Sequence, residues 1–151
     1  MAHVGRKQAV NAAAGSTIAT AALTNIGWIR ECAGAEGVLV RFRNGSDTTH
    51  ALFVVGATGF ARAQAGAPAS AETGLNANLV SDGLPKTNGD KDSANWVWIH
   101  FVDSLNNARP IPFGALYLQA QMATADSTTV IVEAWVVGGN LNGYIDDLDT
   151  R

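Results

Sequence analysis

The chain has 151 residues, the size of one domain, and a domain of that length buries about 68–70% of the surface its unfolded chain exposes, so no disulfide or metal is needed for it to fold. Cys32 is its only cysteine, which excludes a disulfide scaffold. Ten Lys+Arg stand against thirteen Asp+Glu for a net charge of -3, and this balance excludes the basic stripe of a general nucleic-acid binder.

Only 15% of residues are charged, against about 25% in average soluble domains. The surface must therefore draw on Ser, Thr, Asn, Gly and Ala, which suits permanent contact with neighbours. No run of about 18 apolar residues occurs, so no membrane-spanning helix is expected. Neither nucleic acid nor membrane is an expected partner.

Residues 1–23, MAHVGRKQAVNAAAGSTIATAAL, hold no aromatic residue and only Val4, Val10, Ile18 and Leu23 as larger aliphatics. The alanines permit a helix, but Gly15 and the Ser16-Thr17-Ile18 cluster cut it short. The stretch reads as an extended N-terminal arm that contacts a neighbouring subunit, with Arg6, Lys7 and Ile18 as candidate contacts. Asn11, Gly15, Ser16, Thr17 and Thr20 make it a poor signal-peptide core, so the chain reads as made and used without export.

The folded body is expected over residues 24–139. It opens with a short strand from Thr24, in which Ile26, Trp28, Arg30 and Cys32 alternate with Gly27, Ile29 and Glu31. VLVRFR, Val38 to Arg43, places Val38, Val40 and Phe42 on one face and Arg41 and Arg43 on the other. Asn44-Gly45 then predicts a hairpin turn leading into TTHALFVVG, Thr48 to Gly56. Asn44-Gly45-Ser46 also matches the N-glycosylation pattern, but the turn explains the same residues. From Ala57 to Ala71 alanine recurs at alternate positions, which reads either as an extended segment with a methyl-only face or as a loop, and Pro68 pushes it to a sheet edge or out of the sheet. Residues 72–94 are turn-rich.

NWVWIHFVDS, Asn95 to Ser104, is the densest apolar-aromatic run. A strand there turns Val97, Ile99 and Phe101 to a core and Trp96, Trp98 and His100 to the opposite face. That second face must be buried in the fold, meet another chain, or bind a ligand. Beyond a turn region with Pro110 and Pro112, ALYLQAQMAT sets Leu116, Leu118, Ala120 and Met122 against Ala115, Tyr117, Gln119 and Gln121. TTVIVEAWVVGG sets Val130, Val132, Ala134 and Val136 against Ile131, Glu133, Trp135 and Val137. Residues 140–151 form an acidic C-terminal tail with Asp146, Asp147 and Asp149. Six or more strands, many turns and no amphipathic helix indicate an all-β protein, a jelly-roll-like antiparallel β-sandwich.

No catalytic or metal signature survives inspection. Asp90-Lys91-Asp92 begins like a calcium loop, but Ala94 and Phe101 stand where later ligands belong. His3, His50 and His100 lack zinc-like spacing, Cys32 reads as a small buried hydrophobe, and no nucleophile elbow or phosphate loop occurs. Glu31 and Glu133 are the only strand-borne carboxylates for a glycosidase pair. No cofactor, catalytic residue or metal ligand is assigned.

Taken together, the N-terminal arm, VLVRFRNGSDTTHALFVVG and ALYLQAQMATADSTTVIVEAWVVGG resemble the head decoration, or cement, proteins of tailed bacteriophages, as a strand pattern spanning about residues 24–139. The resemblance implies a β-rich body assembled as dimers or trimers on the capsid exterior, clamping neighbouring major capsid proteins against the pressure of packaged DNA. It implies a virion protein made in the bacterial host cytoplasm, with no catalytic residues to carry over. Trp96, Trp98, His100, Arg6, Lys7 and Ile18 are then the candidate protein interface. The alternative is a carbohydrate-binding or adhesin module that stacks sugars on Trp96 and Trp98 with His100 and Trp28 or Trp135.

Overall fold

Strands with one apolar face are stable only when that face is buried against another layer. The computed structural model describes residues 4–19, 22–44, 50–51, 53–68, 79–83, 88–89, 94–122 and 127–138. Among the described residues there is no helix. The strands are β1 (Val4–Ala9), β2 (Ser16–Ala19), β3 (Thr24–Arg30), β4 (Gly37–Asn44), β5 (His50–Ala51), β6 (Phe53–Phe60), β7 (Leu79–Gly83), β8 (Asn88–Gly89), β9 (Ala94–Val102), β10 (Ala108–Arg109), β11 (Ala115–Met122) and β12 (Ser127–Val137). The acidic tail, the Asp90–Ser93 stretch, the turn after Asn44 and His3 lie outside the described residues.

A seven-stranded sheet runs β1–β12–β4–β9–β10, with β2 also paired to β12 and β7 to β9. A three-stranded sheet runs β3–β11–β6, and β5 pairs with β8. All pairings are antiparallel. Between the two larger sheets the chain crosses from β2 to β3, β3 to β4, β4 to β6, β6 to β7, β10 to β11 and β11 to β12. With β1/β2–β12–β4–β9 set against β3–β11–β6, this is the strand order of a jelly roll.

The core lies between the sheets. Val38, Val40 and Phe42 of β4, Val97 and Ile99 of β9 and Val130 to Val136 at alternate positions of β12 meet Leu116, Leu118, Ala120 and Met122 of β11, with Phe101 packed at the margin. Each aliphatic side chain so buried stabilises the fold by about 1.5–3 kcal/mol before entropy is subtracted. The period-two readings of β9, β11 and β12 therefore place the right residues inside.

The N-terminal segment departs from expectation. Described residues 4–19 do not form a detached arm but close the open edge of β12: Lys7 to Ala9 pair with Trp135 to Glu133, and Ser16 to Ala19 pair with Val130 to Ser127. Between β1 and β2 the backbone ladder is interrupted and a side chain completes it. Asn11 Oδ1 accepts from the Val132 N–H at 2.9 Å, while its Nδ2 donates to the Val130 carbonyl at 2.9 Å and to Ser16 Oγ at 3.0 Å. Gln8 does the same across the sheets, donating to the Arg30 carbonyl and accepting from the Arg30 N–H, both at 2.8 Å. Gly27 lets the strap approach, since a Cβ there would stand 2.0 Å from the Val10 carbonyl oxygen. Ile18 is consequently fully buried in this chain's own core and offers nothing to a partner.

Two further expectations change. The predicted hairpin is absent: β4 is flanked by β12 and β9, while β6 joins β11 in the other sheet. Asn-Gly is a local turn signal, but both edges of β4 are already taken. In β3 the register shifts at Leu118/Gln119 and Ile26 becomes the extra residue of a bulge. The bulge lets Ile26 and Ile29 both join the core while Trp28 packs in a separate cluster with Phe60 and Tyr117. Of the alanine-rich stretch, Ala57 to Phe60 belongs to β6 and Ala61 to Pro68 is irregular, while 69–71 lie outside the described residues.

Candidate functional site

Because β12, β4 and β9 bury one side, their alternate residues emerge on the outer side in register. Arg41 sits opposite Glu133 on β12 and Trp96 on β9; Leu39 sits opposite Trp135 and Trp98. Lys7 of β1 sits opposite Trp135 on the far edge. Strands far apart in sequence thus deliver three tryptophans, two cations and one carboxylate to a single patch.

The patch is ordered internally. The Trp96 and Trp135 rings lie 5.6 Å apart, tilted by 35°, and the Arg41 guanidinium stands 5.7 Å and 5.6 Å from their centroids. Cations in this position are held by the ring quadrupoles. Arg41 also donates to Glu133 Oε1 through Nε and Nη2, and Lys7 Nζ reaches Glu133 Oε2 at 2.9 Å. Glu133 is buried, yet the Arg41 hydrogen bonds hold its carboxyl below the usual carboxylate range, with Lys7 adding to them and burial opposing. The Trp98 ring packs against Gly37, where a Cβ would come within 2.2 Å of it. Trp96, Trp98, His100 and Trp135 are all half-buried.

Of the residues proposed as an interface, the structure brings Trp96, Trp98, His100 and Lys7 to this face and leaves Arg6 exposed on β1, while Ile18 is removed to the core. Arg41 and Glu133 are absent from the sequence-based candidates for this face, and Trp135 enters them only through the sugar-stacking alternative. Their outward positions were readable from alternation, but their grouping depends on register between β4 and β12. Trp28 does not belong here, being buried against Phe60 and Tyr117 on the other sheet.

Catalytic chemistry finds no support from the two glutamates. Glu31 lies just past β3 with φ 58°, and Glu133 points away from that smaller sheet, locked in ion pairs. Among the described residues no group of three or more His, Cys, Asp or Glu could hold a metal, and no helix is long and apolar enough to cross a membrane. Cys32 is fully buried, with its thiol donating to the Ile29 carbonyl, and burial pushes its pKa up to about 12. The native protein should therefore react with a thiol reagent at pH 8 on the order of a thousandfold more slowly than the unfolded chain. Rapid labelling without denaturant would show that the site opens locally.

Comparison of the chain with protein-family models, with curated proteins and with solved structures found no match to any of them.

Proposed function

We propose that this chain is a structural virion protein that decorates the outside of a capsid, binding itself and neighbouring major capsid proteins through the outer face of its larger sheet. One observation carries the reading: Trp96, Trp98, Trp135 and Arg41 form a half-exposed, internally ordered patch outside a core that is complete without them. Trp and Arg are the residue types that dominate binding free energy at protein interfaces. Since Arg41 is already held between two indoles and Trp98 already rests on Gly37, little side-chain freedom remains to be lost on docking. Glu133 neutralises cationic charge within the patch, which lowers the cost of drying it. On a lattice, many modest contacts add through multivalency.

The geometry favours a protein over a sugar on these tryptophans. Trp96 and Trp135 pack ring against ring beneath Arg41, so their faces are partly covered and no open stacking platform results.

Particles purified from the lysate that yields this protein should contain it at a fixed copy number by mass spectrometry, and antibody should label it on their exterior. Particles stripped of it should rebind the wild-type chain and rebind Trp98→Ala at least tenfold more weakly, as expected for loss of about 2 kcal/mol at a hot spot. Circular dichroism checks that the variant is folded. Absence from particles, or equal rebinding by folded Trp98→Ala, overturns the reading.

A further inference from the structure

The smaller sheet also has an outer face, and the described stretch Ala61–Pro68 lies across it. Trp28 Nε1 donates to the Gly66 carbonyl at 2.7 Å and pins the strap down. On either side of Ala67 a shallow pocket opens, about 290 Å³ on the Trp28 and Arg30 side and about 250 Å³ on the Asn25 and Gln119 side. Tyr117 lines both.

Tyr117 is only 7% exposed, packed edge-on against Trp28 at 5.0 Å, and none of its hydrogen bonds is to a described residue. Lining both pockets, Tyr117 brings to them a hydroxyl that can donate and accept. Around it the smaller pocket presents Thr58, Asn25 and Gln119. Gln119 Nε2 donates to Asn25 Oδ1 at 2.8 Å, which orients the two amides and leaves Gln119 Oε1 as acceptor and Asn25 Nδ2 as donor. The Phe60 ring and Pro68 supply apolar surface.

No lining residue of this pocket carries a charge at neutral pH. Phosphates, carboxylates and cations find no counter-charge in it. Hydroxyls and amides that both donate and accept, next to an aromatic ring, match a ligand with polar edges and C–H faces. At about 250 Å³ the volume falls just below the ~300–1,000 Å³ of sites that engulf drug-sized ligands, so it suits one sugar ring. We propose that the pocket formed by Tyr117, Thr58, Asn25, Gln119, Phe60 and Pro68 binds a single neutral sugar residue of a glycan. This function is separate from capsid decoration and sits on the opposite sheet from the tryptophan face.

The full chain is first screened on a glycan array, and methyl glycosides of galactose, glucose and mannose are then titrated against its tryptophan fluorescence, which Trp28 reports from beside Tyr117. Saturable binding is expected, weakened roughly tenfold or more by Tyr117→Phe and by Gln119→Ala, one hydrogen bond being worth about that factor. Trp98→Ala should bind as wild type. Tyr117→Phe should melt close to the wild-type temperature, because it keeps the ring packed edge-on against Trp28. The proposal is overturned if no glycan binds, if both pocket variants bind unchanged, if Trp98→Ala abolishes binding, or if Tyr117→Phe melts several degrees lower. A negative array leaves the particle-binding experiment unaffected, so the two readings fail independently.

Discussion

Asn11→Ala should lower the unfolding free energy by roughly 2–4 kcal/mol, a large effect for a polar residue in an irregular connection. The reason is that its amide stands in for a missing piece of strand. Removing it leaves the Val132 N–H without its partner at a part-buried position, which costs about 1–3 kcal/mol, and takes away a hydrogen bond worth about 1 kcal/mol at the Val130 carbonyl, which still faces Ser16 of β2. Neighbouring bonds limit the damage, since the Val10 N–H still reaches the Val132 carbonyl at 2.9 Å. Urea denaturation followed by tryptophan fluorescence should show the midpoint falling with little change in slope. Asn11→Asp tests the geometry further, because it keeps the acceptor for Val132 and loses the donor to Val130. It should fall between wild type and Asn11→Ala. A loss below about 0.5 kcal/mol in Asn11→Ala would mean that the backbone closes the gap alone.

The same residue shows why the N-terminal segment was misread from sequence. Hydrophobic periodicity detects strands by the faces they bury, and β1 and β2 bury little beyond Ile18. Their attachment is carried by amide groups, Gln8 on Arg30 and Asn11 on β12, which no apolar pattern scores. By contrast β9, β11 and β12 were legible, because each alternates large aliphatics over a full strand. The bulge at Ile26 was not, since it depends on how β3 meets β11 and on the Val10 carbonyl above Gly27. The hairpin after Asn44 failed for a related reason. A turn signal is local, whereas the sheet a returning strand joins is decided by which edges remain open.

The candidate face divides in the same way. That Trp96, Trp98 and His100 share a side follows from β9 alone. That Arg41 and Glu133, 92 residues apart, meet beside them follows only from the register of β4 on β12. The pocket at Tyr117 is not legible in the sequence, because it is made by an alanine-rich stretch whose seat on the smaller sheet depends on the hydrogen bond from Trp28 to the Gly66 carbonyl.

The ion pair at the centre of the tryptophan face gives the second large effect. Arg41→Ala should cost about 2–3 kcal/mol at pH 7, since it leaves the buried Glu133 carboxylate with only the exposed Lys7 for compensation. The pH dependence separates charge from packing. Glu133 has a folded pKa below its unfolded value near 4.3, so its contribution is fully present above that value and is lost as pH falls through the folded pKa. In Arg41→Ala the hydrogen bonds that hold the carboxyl down are gone, so Glu133 takes up its proton at higher pH. The difference between wild type and variant should therefore be largest near neutrality and shrink below about pH 4. Arg41→Ala/Glu133→Gln should recover part of the loss at pH 7, because no charge is then stranded. Urea is the denaturant to use, as guanidinium would screen the pair. If the gap between wild type and Arg41→Ala is the same at pH 7 and pH 3.5, Arg41 acts through its packing between Trp96 and Trp135 and the electrostatic account of the face is wrong.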